Sequence, residues 1–409
     1  MTTDETADVV VVGGGPAGLA AAIALRGQGV ARVVVLEREA QAGGVPRHSA
    51  HLGYGMRDMH RIMAGPAYAA AMRTRAEQAG VDIRTATTAT DWTGATSLQT
   101  VNRHGMSNIH ARAVVLATGV RERPRAALLV PGDRGGGVFT TGSLQQLTTI
   151  HHGQPGTRAV IVGAEHVSFS AVLTLQHAAC RTVAMVTPLT RHQTYAPLRL
   201  LTAGRHRVPI ITGCTVEAIH GRDHVRAVTL SNGRRIDCDT VVFTGDWIPD
   251  HELARRGDIV IDDTHRGPAI DTAFRTNRVG VFAIGNMVHP AETADVCALD
   301  GRHAATAVRQ WLEHPAWPTT RVRLIAEAPV AWVAPSRLGE PGTAPGGRIT
   351  LRVDRLTPSR TVAVTQGTTT LWWGRPRGRL VPNRSITIPG AWLVDADPGG
   401  ADIIVSLQP

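Results

Sequence analysis

The run Gly13-Gly14-Gly15-Pro16-Ala17-Gly18 follows four valines, Val9 to Val12, and opens an alanine-rich stretch that ends near Gly29. Glycines at 13, 15 and 18 permit a tight strand-to-helix turn and a close backbone approach to a pyrophosphate. The helix that begins there, with Pro16 and Ala17 in its first turn, aims free N–H groups and the positive end of its dipole at the phosphates. Glu37 ends the next apolar run, VVVLE, nineteen positions after Gly18, and Arg38 follows it. A carboxylate at that spacing accepts hydrogen bonds from both hydroxyls of an adenosine ribose. A glycine turn alone is a weak signal. The flanking strand, helix and acid make it a specific one for a dinucleotide.

A second polar concentration lies just downstream, in GGVPRHSAHLGYGMRD from Gly43 to Asp58, followed by Gly65-Pro66-Ala67-Tyr68. Gly43 and Gly44 suit a close approach of backbone to cofactor. Arg47, His48 and His51 are the candidate catalytic residues, with Arg57 beside them. The cluster fits three roles: stabilising cofactor charge, binding a substrate carboxylate, or forming a partner surface. A surface loop without chemical role fits it equally. No paired Cys, no Ser-His-Asp order and no HExxH motif competes with these signals.

A second strand–turn–helix segment, RAVIVGAEHVSFSAVLTL, keeps only the first glycine of the pattern, Gly163. Glu165 stands where glycine lets a backbone touch a pyrophosphate, and its charge repels one. Ser168 replaces the third glycine. NAD(P) binding there is doubtful, and a domain kept for packing is the favoured reading.

Two further runs resemble the second and third FAD fingerprints of the flavoproteins with two dinucleotide-binding domains. They are Val114-Val115-Leu116-Ala117-Thr118-Gly119 and Gly280-Val281-Phe282-Ala283-Ile284-Gly285-Asn286. The resemblance implies FAD as cofactor, with Ala117, Thr118, Gly119, Gly285 and Asn286 near it. It also implies a helix after His289 whose first residues, including Thr293 and Ala294, face the pyrimidine edge of the flavin. A helix N-terminus there stabilises the negative charge of the reduced ring. Asn286 replaces the aspartate usual in that family.

The elements that must position these residues alternate in type. Short strands are predicted in 79–119, then in TVAMVT, PIITGCTVEAIHG and RAVTLSNGRRIDCDTVVFTGD, with SNGR as a hairpin turn. A helix is predicted from about Glu292 to Glu313. From about residue 320 the chain is rich in Pro, Gly, Thr and Arg, and six of the eight tryptophans lie at or after Trp311. Alternating runs such as RITLRVD and TTTLWWG predict an all-β domain, with 334–348 as its most loop-like stretch. Trp332, Trp372, Trp373 and Trp392 belong either to its own core or to a partner interface. The expected fold is α/β: a Rossmann-like FAD-binding domain in two pieces, 1–150 and 251–320, an inserted NAD(P)-binding-like domain at 151–250, and a small C-terminal β domain at 321–409.

Composition narrows the function. With 43% apolar residues over 409, the chain can build real cores. The net charge is +10, yet all 43 basic residues are arginines, which excludes Schiff-base and Walker lysines. The arginines are scattered and aromatics are only 4%, so nucleic-acid binding is not expected. No apolar run is long enough for a membrane span, and the acidic N-terminus predicts a cytoplasmic chain starting near Met1. The four cysteines are too far apart for a redox pair, and no metal site is expected.

The runs GGVPRHSAHLGYGMRDMHRIMAGPAYA, VGAEHVSFSAVLTL and GVFAIGNMVHPAETADV, followed by GRHAA, are similar to the FAD-containing α-subunit type of opine oxidases and the B subunit of hydrogen cyanide synthase. The resemblance covers 7 to about 315. It implies an oxidoreductase subunit that works beside a second flavoprotein and a small iron–sulfur protein on an amine, amino acid or related polar metabolite. The longer members' cysteine-rich C-terminal domain is absent from this sequence. The alternatives are a stand-alone NAD(P)H-dependent flavin reductase and a scaffold subunit with structural FAD.

Overall fold

The computed structural model describes residues 3–318, 321–340, 344–376 and 378–408. Met1, and 341–343 of the loop-like stretch 334–348, lie outside these. The chain has the expected α/β class.

The valines of the first strand, Thr3–Val12, pair in parallel with Val33–Leu36 on one side and with Gly105–Leu116 on the other. Val9, Val10 and Val11 are fully buried, as befits a central parallel strand covered on both faces. Asp82–Arg84 extends the sheet beyond Val33–Leu36. The long strand Gly105–Leu116 changes partner along its length. Its first half runs antiparallel to Ser97–Asn102, and its last residues run parallel to Val281–Ala283. The three fingerprint strands therefore end side by side at Val12, Leu116 and Ala283. Ligand sites of open parallel sheets lie at such strand ends. The helices Pro16–Gly27 and Ala294–Glu313 pack on this sheet and on each other. The second begins at Ala294, close to the expected start.

A second, five-stranded parallel sheet has the order Val138–Thr140, Thr240–Phe243, Arg158–Val162, Arg181–Thr187, Ile210–Thr212. It takes in Val138–Thr140, upstream of residue 151, because that segment pairs directly with Thr240–Phe243. Its core is distinct from that of the first sheet. The hairpin at 231–234 forms, with Gly233 in the left-handed region (φ +79°) that a tight turn requires.

The C-terminal region forms a four-stranded and a three-stranded sheet that share one core. Trp392 lies in that core and Trp372 packs against it, whereas Trp373 is 73% exposed. Trp332 faces inward toward the first domain, its ring 6.2 Å from that of His265. Two of the four candidate interface tryptophans thus serve the core, and one serves a contact within the chain.

His265 is buried where these two domains meet, and burial lowers its pKa to about 4; His48 and His166 are lowered to about 4 by the same cause. A histidine with a folded pKa below its unfolded value near 6.5 binds fewer protons folded than unfolded in between. Its stabilising effect is complete above pH 6.5 and is lost as pH falls toward 4, on the order of 3 kcal/mol for His265. Thermal melts should show the transition temperature falling from pH 7 to pH 5. The slope should be shallower in His265→Asn. An equal slope in both proteins would show that His265 is not the group concerned.

Candidate active site

The glycines of the first turn divide by what surrounds them. A Cβ on Gly13 would stand 2.4 Å from the Ala117 carbonyl oxygen, and one on Gly18 would stand 1.9 Å from that of Gly13. These two let the chain pack on itself. A Cβ on Gly15 meets only the Gly44 Cα, at 3.9 Å, so the space before it is open. Gly15 is also the N-cap of helix Pro16–Gly27 and brings no side-chain cap. The N–H groups of Ala17 and Gly18 face that space without a side-chain acceptor, the situation that favours a phosphate. Opposite lies Gly43-Gly44, with the Gly43 N–H donating to the Gly14 carbonyl at 2.7 Å and Gly44 at φ +61°.

Glu37 is held against the same turn and is 7% exposed. Its Oε2 accepts from the Gly14 N–H at 3.0 Å and its Oε1 from the Glu39 N–H at 2.8 Å. Burial raises its pKa, and the two backbone donors oppose this. Each oxygen keeps a lone pair for a ribose hydroxyl. Arg47 reaches toward Glu39 at 3.5 Å, while its buried Nε has no hydrogen-bond partner. An open glycine cradle, a carboxylate beside it and an unpaired buried guanidinium N–H fit the adenosine diphosphate portion of FAD. Arg38 points elsewhere and pairs with Asp250 at 3.0 Å on the surface.

The second and third fingerprints meet the first. Ala117 continues the strand by donating to the Val12 carbonyl at 2.8 Å. The Thr118 hydroxyl donates to the Asp250 carbonyl at 2.6 Å, and the Gly119 carbonyl accepts from the Asp250 N–H at 2.9 Å. These two residues thus tie the outgoing crossover to the returning one. Gly285 (φ +68°) lies against Ala17, where a Cβ would stand 2.7 Å from that of Ala17. The Asn286 amide closes its own loop: Nδ2 donates to the Glu292 carbonyl at 3.1 Å, and Oδ1 accepts from the Glu292 N–H at 2.5 Å. An ionised aspartate could make only the second bond, which gives asparagine a structural reason to stand here.

Thr293 is the N-cap of helix Ala294–Glu313, and its hydroxyl donates to Asp295 rather than capping backbone. Asp295, buried in the first turn, also accepts from the Arg57 backbone N–H and guanidinium, each at 3.1 Å. Asp295 was not among the expected site residues, although an acid following Thr-Ala at a helix start is a recognisable signal.

The polar loop is brought to the domain boundary. The His51 Nδ1–H donates to the Leu52 carbonyl at 2.8 Å, which leaves Nε2 to accept from the Ser49 hydroxyl at 3.0 Å. Gln145, from the neighbouring domain, donates to Ser49 at 3.3 Å and to Ser170 at 3.0 Å. Burial lowers the pKa of both His48 and His51, so both rings are neutral at pH 7. The Nδ1 of His48 is buried without a partner. The Tyr68 hydroxyl donates to Asp58 at 2.7 Å beneath this loop. Ser49 and Gln145 lack any local motif, because their roles arise from the contact between domains.

The second glycine turn has a different interior. Glu165 is 4% exposed, and its Oε2 accepts from the Ala164 N–H at 3.0 Å. The Glu165 N–H donates to Ser168 Oγ at 3.2 Å, and Ser168 hydrogen-bonds to Thr244 at 2.7 Å. Burial raises the Glu165 pKa. Side chains of the turn thus occupy donors that would otherwise face a pyrophosphate. The C-terminal domain closes on the same end of the helix His166–His177. Tyr195 stacks edge-on with His166 at 5.1 Å, the Arg384 guanidinium lies 4.5 Å over the Tyr195 ring, and the Asn383 N–H donates to Gln193 at 2.8 Å.

The family pattern of the pyridine nucleotide-disulphide oxidoreductases matches residues 7–310. The opine oxidase A-chain protein of Agrobacterium tumefaciens (strain Ach5), one subunit of that oxidase, is 26% identical over 338 residues, which cover 73% of this chain and 65% of that protein. The alpha subunit of sarcosine oxidase from Corynebacterium sp. (strain P-1) is 27% identical over 375 residues, 82% of this chain and 36% of that one. The chain therefore spans less than two thirds of either relative. Among solved structures, T. acidophilum thioredoxin reductase is similar in fold, with a TM-score of 0.61 at 20% identity over 74% of this chain and 97% of its own. Among the described residues no helix is long and apolar enough to cross a membrane.

Substitution at the open glycine tests the cradle. Gly15→Val should fold, since nothing but the Gly44 Cα lies within 4 Å of its Cβ, yet the branched side chain would fill the space before the helix. Purified Gly15→Val should carry about tenfold less FAD than wild type. The check is the flavin absorbance per chain; full flavin content would place the pyrophosphate elsewhere.

Proposed function

The chain belongs to the pyridine nucleotide-disulphide oxidoreductase family, whose cofactor is FAD, and from that premise we propose that it is the α-type subunit of a heteromeric dehydrogenase or oxidase. The substrate class is a small amine, amino acid or related polar metabolite. Electrons would reach or leave this subunit through a redox partner, a second flavoprotein or a small iron–sulfur protein. The observation that carries the reading is the second turn, where the Glu165 and Ser168 side chains take the Ala164 and Glu165 N–H groups, which supports a route for electrons other than a reduced nicotinamide nucleotide. The names of the relatives add support, since the opine oxidase and sarcosine oxidase proteins are both subunits.

FAD, when bound, supplies the site that stores the electron pair. The protein groups then divide the remaining work. Glu37 would accept from the ribose hydroxyls, while the uncapped helix start at Gly15 and the Arg47 guanidinium would hold the phosphates. The loop from Asn286 and the start of helix Ala294–Glu313 would face the far end of the cofactor. Neutral His51, its tautomer set by Leu52, presents a ring that can take a proton, and Ser49 is poised to relay one. The cysteines weigh against a disulphide mechanism: all four are buried free thiols, and burial raises the pKa of Cys180, Cys238 and Cys297. The same Glu165 arrangement weighs against a stand-alone NAD(P)H-dependent reductase.

Native purification tests the heteromer. The chain should elute in a complex with at least one other redox protein. The isolated chain should retain FAD while turning over amines and amino acids at less than about a hundredth of the rate of the complex. Full turnover by the purified single chain would reject the heteromer reading.

A further inference from the structure

The segment between the third fingerprint strand and helix Ala294–Glu313 is held from two sides. From within, the Asn286 amide clamps the backbone of Glu292 through both N–H and carbonyl. From outside, Arg352 enters from strand Arg348–Val353 of the C-terminal β domain. Arg352 is 5% exposed. Its guanidinium donates to the Ala291 carbonyl at 2.5 Å and to Ser385 Oγ at 3.3 Å, and it lies 5.5 Å from the Trp332 ring centroid. The Glu292 carboxylate lies 3.8 Å from the same guanidinium, and its Oε1 has no hydrogen-bond partner. His289, paired with Asp300, and His265 complete the buried surroundings.

A buried arginine is expensive to desolvate, and a buried pair adds little net stability over apolar residues of the same shape. Removing one partner, by contrast, strands the other. Such a pair is therefore better suited to fixing a geometry than to stabilising a fold. Here the geometry it fixes is the loop that begins with Asn286 and ends at the start of helix Ala294–Glu313.

We propose that Arg352 is a positioning residue for the cofactor: the C-terminal β domain uses it to hold the 286–293 loop in place, so that this domain completes the FAD site. Arg352 acts through Ala291 and Glu292, and no direct contact with the cofactor is required. The proposal rests on the reading that this loop faces FAD, and it is independent of the heteromer.

The test uses the full-length chain, with apoprotein reconstituted by FAD and followed by flavin fluorescence. Arg352→Met should weaken FAD binding by about tenfold or more, because the loop loses its anchor at Ala291. Arg352→Lys should recover part of that loss. In Glu292→Gln/Arg352→Met the stranded carboxylate is gone, and binding should improve on Arg352→Met alone. Glu292→Gln by itself leaves a buried positive charge, so the flavin midpoint potential should shift to more positive values. Should Arg352→Met be insoluble, Glu292→Gln alone decides through its potential. Unchanged FAD affinity in Arg352→Met with only a lowered melting temperature, or an unchanged potential in Glu292→Gln, would overturn the proposal. Wild-type chain that takes up no FAD would instead reject the placement of the cofactor.

Discussion

Two helices meet in this molecule at a point where no side chain fits. A Cβ on Gly301 would stand 2.1 Å from the Ala17 carbonyl oxygen, so helix Ala294–Glu313 lies directly on the backbone of helix Pro16–Gly27. Gly285 approaches the same alanine from the end of the third fingerprint. This one close approach brings the start of the first helix, the start of the last helix and the loop between Gly285 and Thr293 to one corner of the sheet. The distance in sequence from Ala17 to Gly301 thereby becomes irrelevant. A cofactor with a phosphate end and a ring end can span from one helix start toward the other, each offering backbone N–H groups.

The two glycine turns show how small a change alters the chemistry of a shared shape. Both follow a buried parallel strand and both open a twelve-residue helix. In the first, the acid stands outside the turn, at Glu37 just after the neighbouring strand, and accepts from the Gly14 and Glu39 N–H groups. In the second, the acid stands inside it at Glu165, where its carboxyl group accepts from the Ala164 N–H and Ser168 Oγ takes the Glu165 N–H, so side chains fill the turn. Burial raises the Glu165 pKa, so the carboxyl group obstructs the turn by its bulk and by the N–H groups spent within it.

The parts legible in sequence were those with local causes. The strand, turn and helix around Gly13 to Gly18 follow from apolar runs and glycine spacing, and Glu37 follows from its offset. The hairpin at Gly233 follows from its turn residues, and helix Ala294–Glu313 follows from its apolar periodicity. What escaped has long-range causes. Val138–Thr140 joins the second sheet because Thr240–Phe243 offers it an edge, a pairing no local pattern announces. Arg352 looks like any arginine in an alternating β run, and only the packing of its strand against 286–293 gives it a partner. Asn286 was visible as a departure from its family, but its reason, a donor and an acceptor spent on Glu292, required the folded loop.

The central claim is that this protein holds FAD in one dinucleotide site while its second site is closed by its own side chains. The most direct measurement is anaerobic stopped-flow absorbance of the FAD-loaded chain mixed with NADH or NADPH. The account predicts no fast, saturable bleaching of the flavin band with either nucleotide. Rapid reduction that saturates with nucleotide concentration would show that Glu165 and Ser168 move aside, and would contradict it.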